Sequence, residues 1–241
     1  MDTLQYHDAH GRRIAFRHLA GEGPTIVFLP GYKSDMAGSK ATAVFEWARK
    51  SERASLLLDY SGCGLSDGDF ADGTLSRWRD EVLALIEARV EGPSILVGSS
   101  MGGWLMLLVG EALGARLHAL VGIAPAPDFT EWGFDPEQKG QLARGETLLE
   151  DNPYGPEPTP THPGFWADGQ ANRRLDNPIA LNCPVRLIHG VEDTDVPFEV
   201  SQRLVAALHS RDVHLTLVKD GDHRLSREQD IALLLRTVEA L

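Results

Sequence analysis

Residues 94–106 read SILVGSSMGGWLM, and this stretch decides the fold. An apolar run ends in Gly98-Ser99-Ser100-Met101-Gly102 and is followed at once by a second apolar run of helical length. The pentapeptide fits G-x-S-x-G when centred on Ser100; centring it on Ser99 would require glycines at 97 and 101, where Val97 and Met101 stand. A strand that turns sharply into a helix lifts the central hydroxyl clear of the core. It needs small flanking residues so that strand and helix can approach. Ser100 is therefore the candidate nucleophile, and Ser99 a packing or hydrogen-bonding neighbour.

On either side of this turn, brief apolar runs alternate with amphipathic segments. Extended pieces are expected at Thr3–Tyr6 and Arg13–His18, hinged at His10–Gly11, and at Thr25–Leu29, Ser55–Asp59, Ser94–Gly98 and Leu120–Ile123. Helices are expected at Lys40–Ser51, Leu75–Arg89 and Gly102–Leu113. After Ala126 the rhythm breaks into a proline-rich stretch with scattered aromatics: Phe129, Trp132, Phe134, Tyr154, Phe165 and Trp166. It resumes with a strand at Val185–His189, a helix at Phe198–Leu208, a strand at Val213–Lys219 and a last helix whose start Ser226 and Gln229 would cap. The pattern predicts an α/β fold: a mostly parallel sheet of about eight strands, flanked by helices. Residues 1–241 form a single domain in this reading, with residues 126–180 inserted as a lid after the sixth strand.

A serine hydroxyl needs a base, and the base needs an orienting acid, in the chain order serine, acid, histidine for this architecture. The loop after Val185–His189 offers Glu192, Asp193 and Asp195; the loop after Val213–Lys219 offers His223, with Asp220 and Asp222 beside it. Spacing favours Asp193 modestly, because Asp195 precedes Val196-Pro197 and could cap the next helix. His189 reads as a brace for the acid loop. For the oxyanion, the residue after the nucleophile, Met101, supplies one backbone N–H. The loop LPGYKSDMAGSK (29–40) supplies another, through the backbone of Tyr32. Trp132, Phe134, Phe165 and Trp166 are candidates to line an apolar acyl pocket.

Composition narrows the partners. With 23 basic against 35 acidic side chains, the net charge is −12, which discourages nucleic-acid binding. It also disfavours a polyanionic leaving group, unless Lys33 or Arg173–Arg174 act locally. Cys63 and Cys183 have neither metal-site nor disulfide-framework spacing, and Cys63 reads as a packed side chain. The absence of an apolar signal core or a membrane-length run leads to the expectation of a cytoplasmic protein without stable membrane insertion. A cofactor-free lyase or perhydrolase could keep the same triad on this scaffold. A non-catalytic binding module would be expected to lose one of these parts, and the sequence retains them all.

The segments FLPGYKSDMAGSKA (28–41), LDYSGCGLSDG (58–68), ILVGSSMGGWLML (95–107), CPVRLIHGVEDTDVP (183–197) and LVKDGDHRLS (217–226) resemble the alpha/beta-hydrolase superfamily. Within it, they are similar to the small hydrolases related to the mitochondrial abhydrolase-domain palmitoyl-protein thioesterase and acyl-glucuronide esterase. The resemblance implies Ser100 as nucleophile, His223 as base, Asp193 as acid and Tyr32 and Met101 as oxyanion donors. It also implies hydrolysis of small esters or thioesters, or of an acylated protein, with neither cofactor nor metal.

Overall fold

The computed structural model describes residues 3–152 and 155–241; Tyr154, one of the aromatics named above, lies outside them. An eight-stranded sheet is built from β1 (Gln5–Ala9), β2 (Arg12–Leu19), β3 (Glu22–Leu29), β4 (Arg53–Leu58), β5 (Ser94–Ser99), β6 (Leu117–Ile123), β9 (Val185–Gly190) and β10 (Val213–Val218). Their order across the sheet is β1-β2-β4-β3-β5-β6-β9-β10. β2 pairs antiparallel with β1 and with β4, and every pairing from β4 to β10 is parallel. β1 and β2 meet at His10 and Gly11, both with positive φ (56° and 80°), as a two-residue hairpin turn requires.

The central strands read as unbroken apolar runs because both of their faces are covered. Successive residues point to opposite sides. Val27, Leu29, Leu56, Leu58 and Leu96 pack on one side with α2 (Leu75–Arg89) and α3 (Met101–Leu113). Ile26, Phe28, Leu57, Ile95 and Val97 pack on the other with α1 (Ser39–Lys50) and α8 (Glu228–Glu239). α7 (Glu199–Ala207) connects β9 to β10. The crossover that leaves β3 runs to β4 on one side, and the one that leaves β5 runs to β6 on the other. The crevice at the carboxyl ends of β3 and β5 is thus the topological switch point, where open α/β sheets bind ligands.

The segment between β6 and β9 holds α4 (Phe129–Trp132), α5 (Pro136–Ala143), the antiparallel pair β7 (Leu148–Glu150) and β8 (Thr159–Thr161), and α6 (Pro163–Ala171). The small β7–β8 sheet was not anticipated from the sequence. Asp135 and Gln138 cap α5 reciprocally, with Pro136 at its first position. Ser226 does not cap α8. The helix starts one residue later, where the Asp230 carboxylate accepts the Arg227 backbone N–H at 3.1 Å and its guanidinium at 2.8 Å. An ion pair outcompetes the hydroxyl for that end.

Candidate active site

Ser100 ends the β5 turn with φ 54° and ψ −121°, a conformation that L-residues avoid and that stores of order 1–3 kcal/mol. The surroundings over-determine it. Ser100 N–H donates to Ile123 O at 2.9 Å, and Ser100 O accepts Gly103 N–H at 2.8 Å and Ala126 N–H at 3.0 Å. A Cβ at Gly98 would overlap the Gly102 backbone, and one at Gly102 would overlap the Leu29 and Pro30 carbonyls. Both glycines are therefore demanded by close approach of strand, helix and the loop after β3.

Three loops at the carboxyl edge place three side chains in line. His223 Nε2 lies 3.0 Å from Ser100 Oγ, and its Nδ1 lies 2.8 Å from Asp193 Oδ2. An ionised carboxylate only accepts, so Nδ1 carries the ring proton and Nε2 offers its lone pair to the Ser100 hydroxyl. Asp193 is a saturated acceptor. Its Oδ1 takes the N–H groups of Asp195 at 3.0 Å and Val196 at 2.8 Å, and its Oδ2 also lies 3.2 Å from His189 Nε2. Burial alone would raise this carboxyl. The hydrogen bonds from His189 and His223, the His223 charge and the Val196 N–H outweigh it and hold the group well below its ordinary value. Two other carboxylates of these loops have local duties: Asp222 accepts Leu225 N–H at 2.9 Å, and Asp220 pairs with Arg227 at 2.8 Å. The acid and histidine loops meet at Gly190, whose missing Cβ leaves room for the backbone of Gly221.

Tyr32 follows Gly31, where a Cβ would come within 3.4 Å of Ser100 Cβ, so the loop after β3 lies against the nucleophile turn. Met101 is the first residue of α3, and its N–H has no intrahelical partner. Oxygen bound at this crevice can thus meet backbone donors, while a hydroxyl and its base stand beside it. That arrangement suits acyl transfer.

A profile of the alpha/beta-hydrolase family matches residues 26–236. The chain belongs to the alpha/beta-hydrolase family. The hydrolase is 37% identical over 237 residues to the human palmitoyl-protein thioesterase ABHD10, mitochondrial, covering 95% of this chain and 76% of the relative. It superposes on alpha/beta hydrolase domain-containing protein 10 from mouse with a TM-score of 0.92 and 36% identity, covering 99% and 97% of the two chains. A protein from Agrobacterium vitis S4 assigned as a hydrolase gives a TM-score of 0.91 and 39% identity, covering 99% and 98%. The expectation of a cytoplasmic address is overturned by these curated relatives, which are named as mitochondrial.

Next to Ser100 and His223, the hydrolase has a cavity of about 500 Å³ whose wall mixes Tyr32, Lys33, Lys40, Asp195 and Arg224 with Asn152 and Thr159 of the insert. Trp132, Phe134, Phe165 and Trp166 are not among the residues of this wall. Trp132 donates its Nε1–H to Pro127 O at 2.7 Å and packs with Ala126, Val196 and Val200. Phe134 is buried with Leu142 and Leu148; Trp166 packs on that cluster and donates to Thr130 O at 3.1 Å. Phe165 is buried in the main core, 4.7 Å ring to ring from Tyr32. These four side chains hold the insert together and onto the sheet. Arg173 is engaged by Asp176 and Glu131, and Arg174 by Glu111 at 3.0 Å, so neither lines the cavity. Lys33 does line it, with its Nζ donating to Pro158 O at 3.4 Å.

Two contributors were missed. Lys40, in the first turn of α1, donates to Arg224 O beside His223, and burial pulls its ammonium down to about 8. Its place just after the oxyanion loop was the available signal. Ser201, on α7, lies 2.7 Å from His189 Nδ1; no motif marks it. Burial pushes the Cys63 thiol up to about 12, which leaves it a packed side chain. Among the described residues, no helix is long and apolar enough to cross a membrane, and no group of three or more His, Cys, Asp or Glu is placed to hold a metal ion.

Proposed function

We propose that this hydrolase cleaves carboxylic esters or thioesters by acyl transfer to Ser100. The unbroken chain from Ser100 Oγ through His223 to Asp193, at 3.0 and 2.8 Å, carries this reading. His223 Nε2 takes the hydroxyl proton as Oγ attacks the acyl carbonyl. Asp193 keeps the proton on Nδ1 and stabilises the imidazolium that forms. The backbone N–H groups of Tyr32 and Met101 hold the oxyanion, each contributing about 3 kcal/mol to the transition state. His223 then returns the proton to the departing alcohol or thiol. Water, deprotonated by the same ring, releases the acid and regenerates Ser100.

The thioesterase names of the relatives favour thioesters, including acylated proteins, among the substrates. The segment 126–180 serves as a lid over the single domain, with Asn152 and Thr159 facing the reacting groups. The test is covalent labelling with a fluorophosphonate, followed by turnover of matched esters and thioesters. Ser100→Ala abolishes both, and Ser99→Ala leaves labelling intact. A label mapping to Ser99 or Cys63 in folded protein overturns the mechanism.

A further inference from the structure

We propose that Tyr32 is a positioning residue that couples the cavity wall contributed by the insert to the oxyanion site: its backbone belongs to the loop against Ser100, and its phenol holds the strand that carries Thr159. This rests on the acyl-transfer reading above.

Tyr32 sits in a tight turn, with Ser34 N–H donating to Gly31 O at 3.2 Å and Lys33 at φ 54°. On the nucleophile side, the turn touches Ser100 through Gly31. On the other side, Tyr32 Oη–H donates to Pro160 O of β8 at 3.0 Å. Pro160 immediately follows Thr159, which lines the cavity beside Ser100. The ring between these two attachments is not free to swing. It packs edge-on to Phe70 at 5.0 Å and to Phe129 at 5.9 Å, and tilted against Phe165 of α6 at 4.7 Å. Oxyanion donors must sit within a fraction of an ångström of where charge develops, and a misplacement of about 1 Å can cost about a hundredfold in rate. A side chain that ties such a donor to a substrate-lining strand makes the wall's position a determinant of turnover. A group of the substrate that seats against Thr159 sets the donor; one that displaces it moves the donor away.

The test uses Tyr32→Phe, which keeps the ring and its aromatic neighbours and removes the phenol's polar contacts with β8 and the residue after it. The expected result is a tenfold to hundredfold fall in kcat, with KM changed less than about twofold and a matching loss of affinity for a trifluoromethyl ketone, which mimics the tetrahedral intermediate. A lowered Tm with kcat and ketone affinity unchanged would show a packing role and overturn the proposal. Thr159→Ala gives a second reading, which stands even if Tyr32→Phe fails to fold. It lowers kcat if the wall sets the donor; if it raises KM alone, the proposal is overturned. Fluorophosphonate labelling separates the two levels. A parent protein not labelled at Ser100 overturns the acyl-transfer reading and this inference together. Labelling at Ser100 with unaltered kcat in both variants overturns the inference alone.

Discussion

His189 Nε2 and His223 Nδ1 converge on one oxygen of Asp193, at 3.2 and 2.8 Å. His189 is fully buried. Its Nε2 also faces Val196 O at 2.9 Å, so that nitrogen must carry the proton, and Nδ1 accepts the Ser201 hydroxyl at 2.7 Å. The Val196 carbonyl and the Asp193 carboxylate, which only accept, fix this tautomer, and the Ser201 hydroxyl complements it by donating to Nδ1. Replacing His189 by Leu strands the Val196 carbonyl and the Ser201 hydroxyl, at about 1–3 kcal/mol for each buried group left unpaired. It also removes one of the two ring nitrogens that face Asp193 Oδ2. Both Tm and kcat should fall, and His189→Gln, which restores an amide donor, should recover more of kcat than His189→Leu does. Equal kcat in the two variants would mean that His189 only fills space.

The depressed carboxyl of Asp193 also predicts a pH dependence of stability. Its folded value lies below the ordinary 3.8, so the unfolded chain binds the proton more readily than the folded one. The contribution is therefore complete above about pH 5 and is lost as the pH falls through about 4 and below. Asp193→Asn removes that proton-linked contribution. Thermal unfolding followed from pH 6 to pH 3 should show a shallower acid decline for the variant than for the parent protein. Parallel curves would place the acid sensitivity elsewhere.

Strain at Ser100 makes a third prediction. With φ 54° and ψ −121°, the position suits glycine far better than any residue with a Cβ. Ser100→Ala and Ser100→Gly should both be inert to fluorophosphonate and to substrate. The glycine variant should nevertheless be more stable than the alanine variant by about 1 kcal/mol or more, read as a higher denaturant midpoint at unchanged slope. Equal midpoints would show that the turn carries no stored strain.

How far the sequence was legible follows from where its information is local. Val27, Leu56 and Leu96 sit in runs that only a doubly covered sheet can bury, and Gly98 and Gly102 flank Ser100 because the close approach is between near neighbours. The residues that meet His223 could be confined to two loops by strand order, and spacing favoured Asp193 over Asp195 only modestly, because the turn geometry that aims Oδ2 at the ring is not written in the spacing. In the insert, by contrast, Phe165 reaches Tyr32 across 133 positions, and Trp166 turns inward to Thr130 O. Such contacts have no period, and aromatics that glue an insert have the same composition as aromatics that line a pocket. The pairing of Ser201 with His189 is likewise tertiary, between a strand end and the following helix.

The insert's attachment supplies the last prediction. Asp128, buried and in a left-handed conformation at φ 60°, stands where the insert leaves the sheet. Its Oδ1 accepts Arg174 N–H at 2.8 Å and its Oδ2 accepts Leu175 N–H at 2.7 Å, where the chain returns. One carboxylate thus joins both ends of the segment. Asparagine tolerates the left-handed backbone as well as aspartate does, so Asp128→Asn isolates the side chain's contribution. Its amide oxygen can accept one of the two N–H groups, but its NH2 must face the other, leaving a buried donor against a donor at a cost of about 1–3 kcal/mol. The ends of the insert should then part more often than the sheet unfolds. Limited proteolysis should cut the variant near residues 172–178 well before the remaining chain is digested, with the midpoint of global unfolding lowered by less than the gain in cleavage implies. Cleavage that rises only in step with global unfolding would show that the insert and the sheet open as one unit, and that Asp128 is not its clasp.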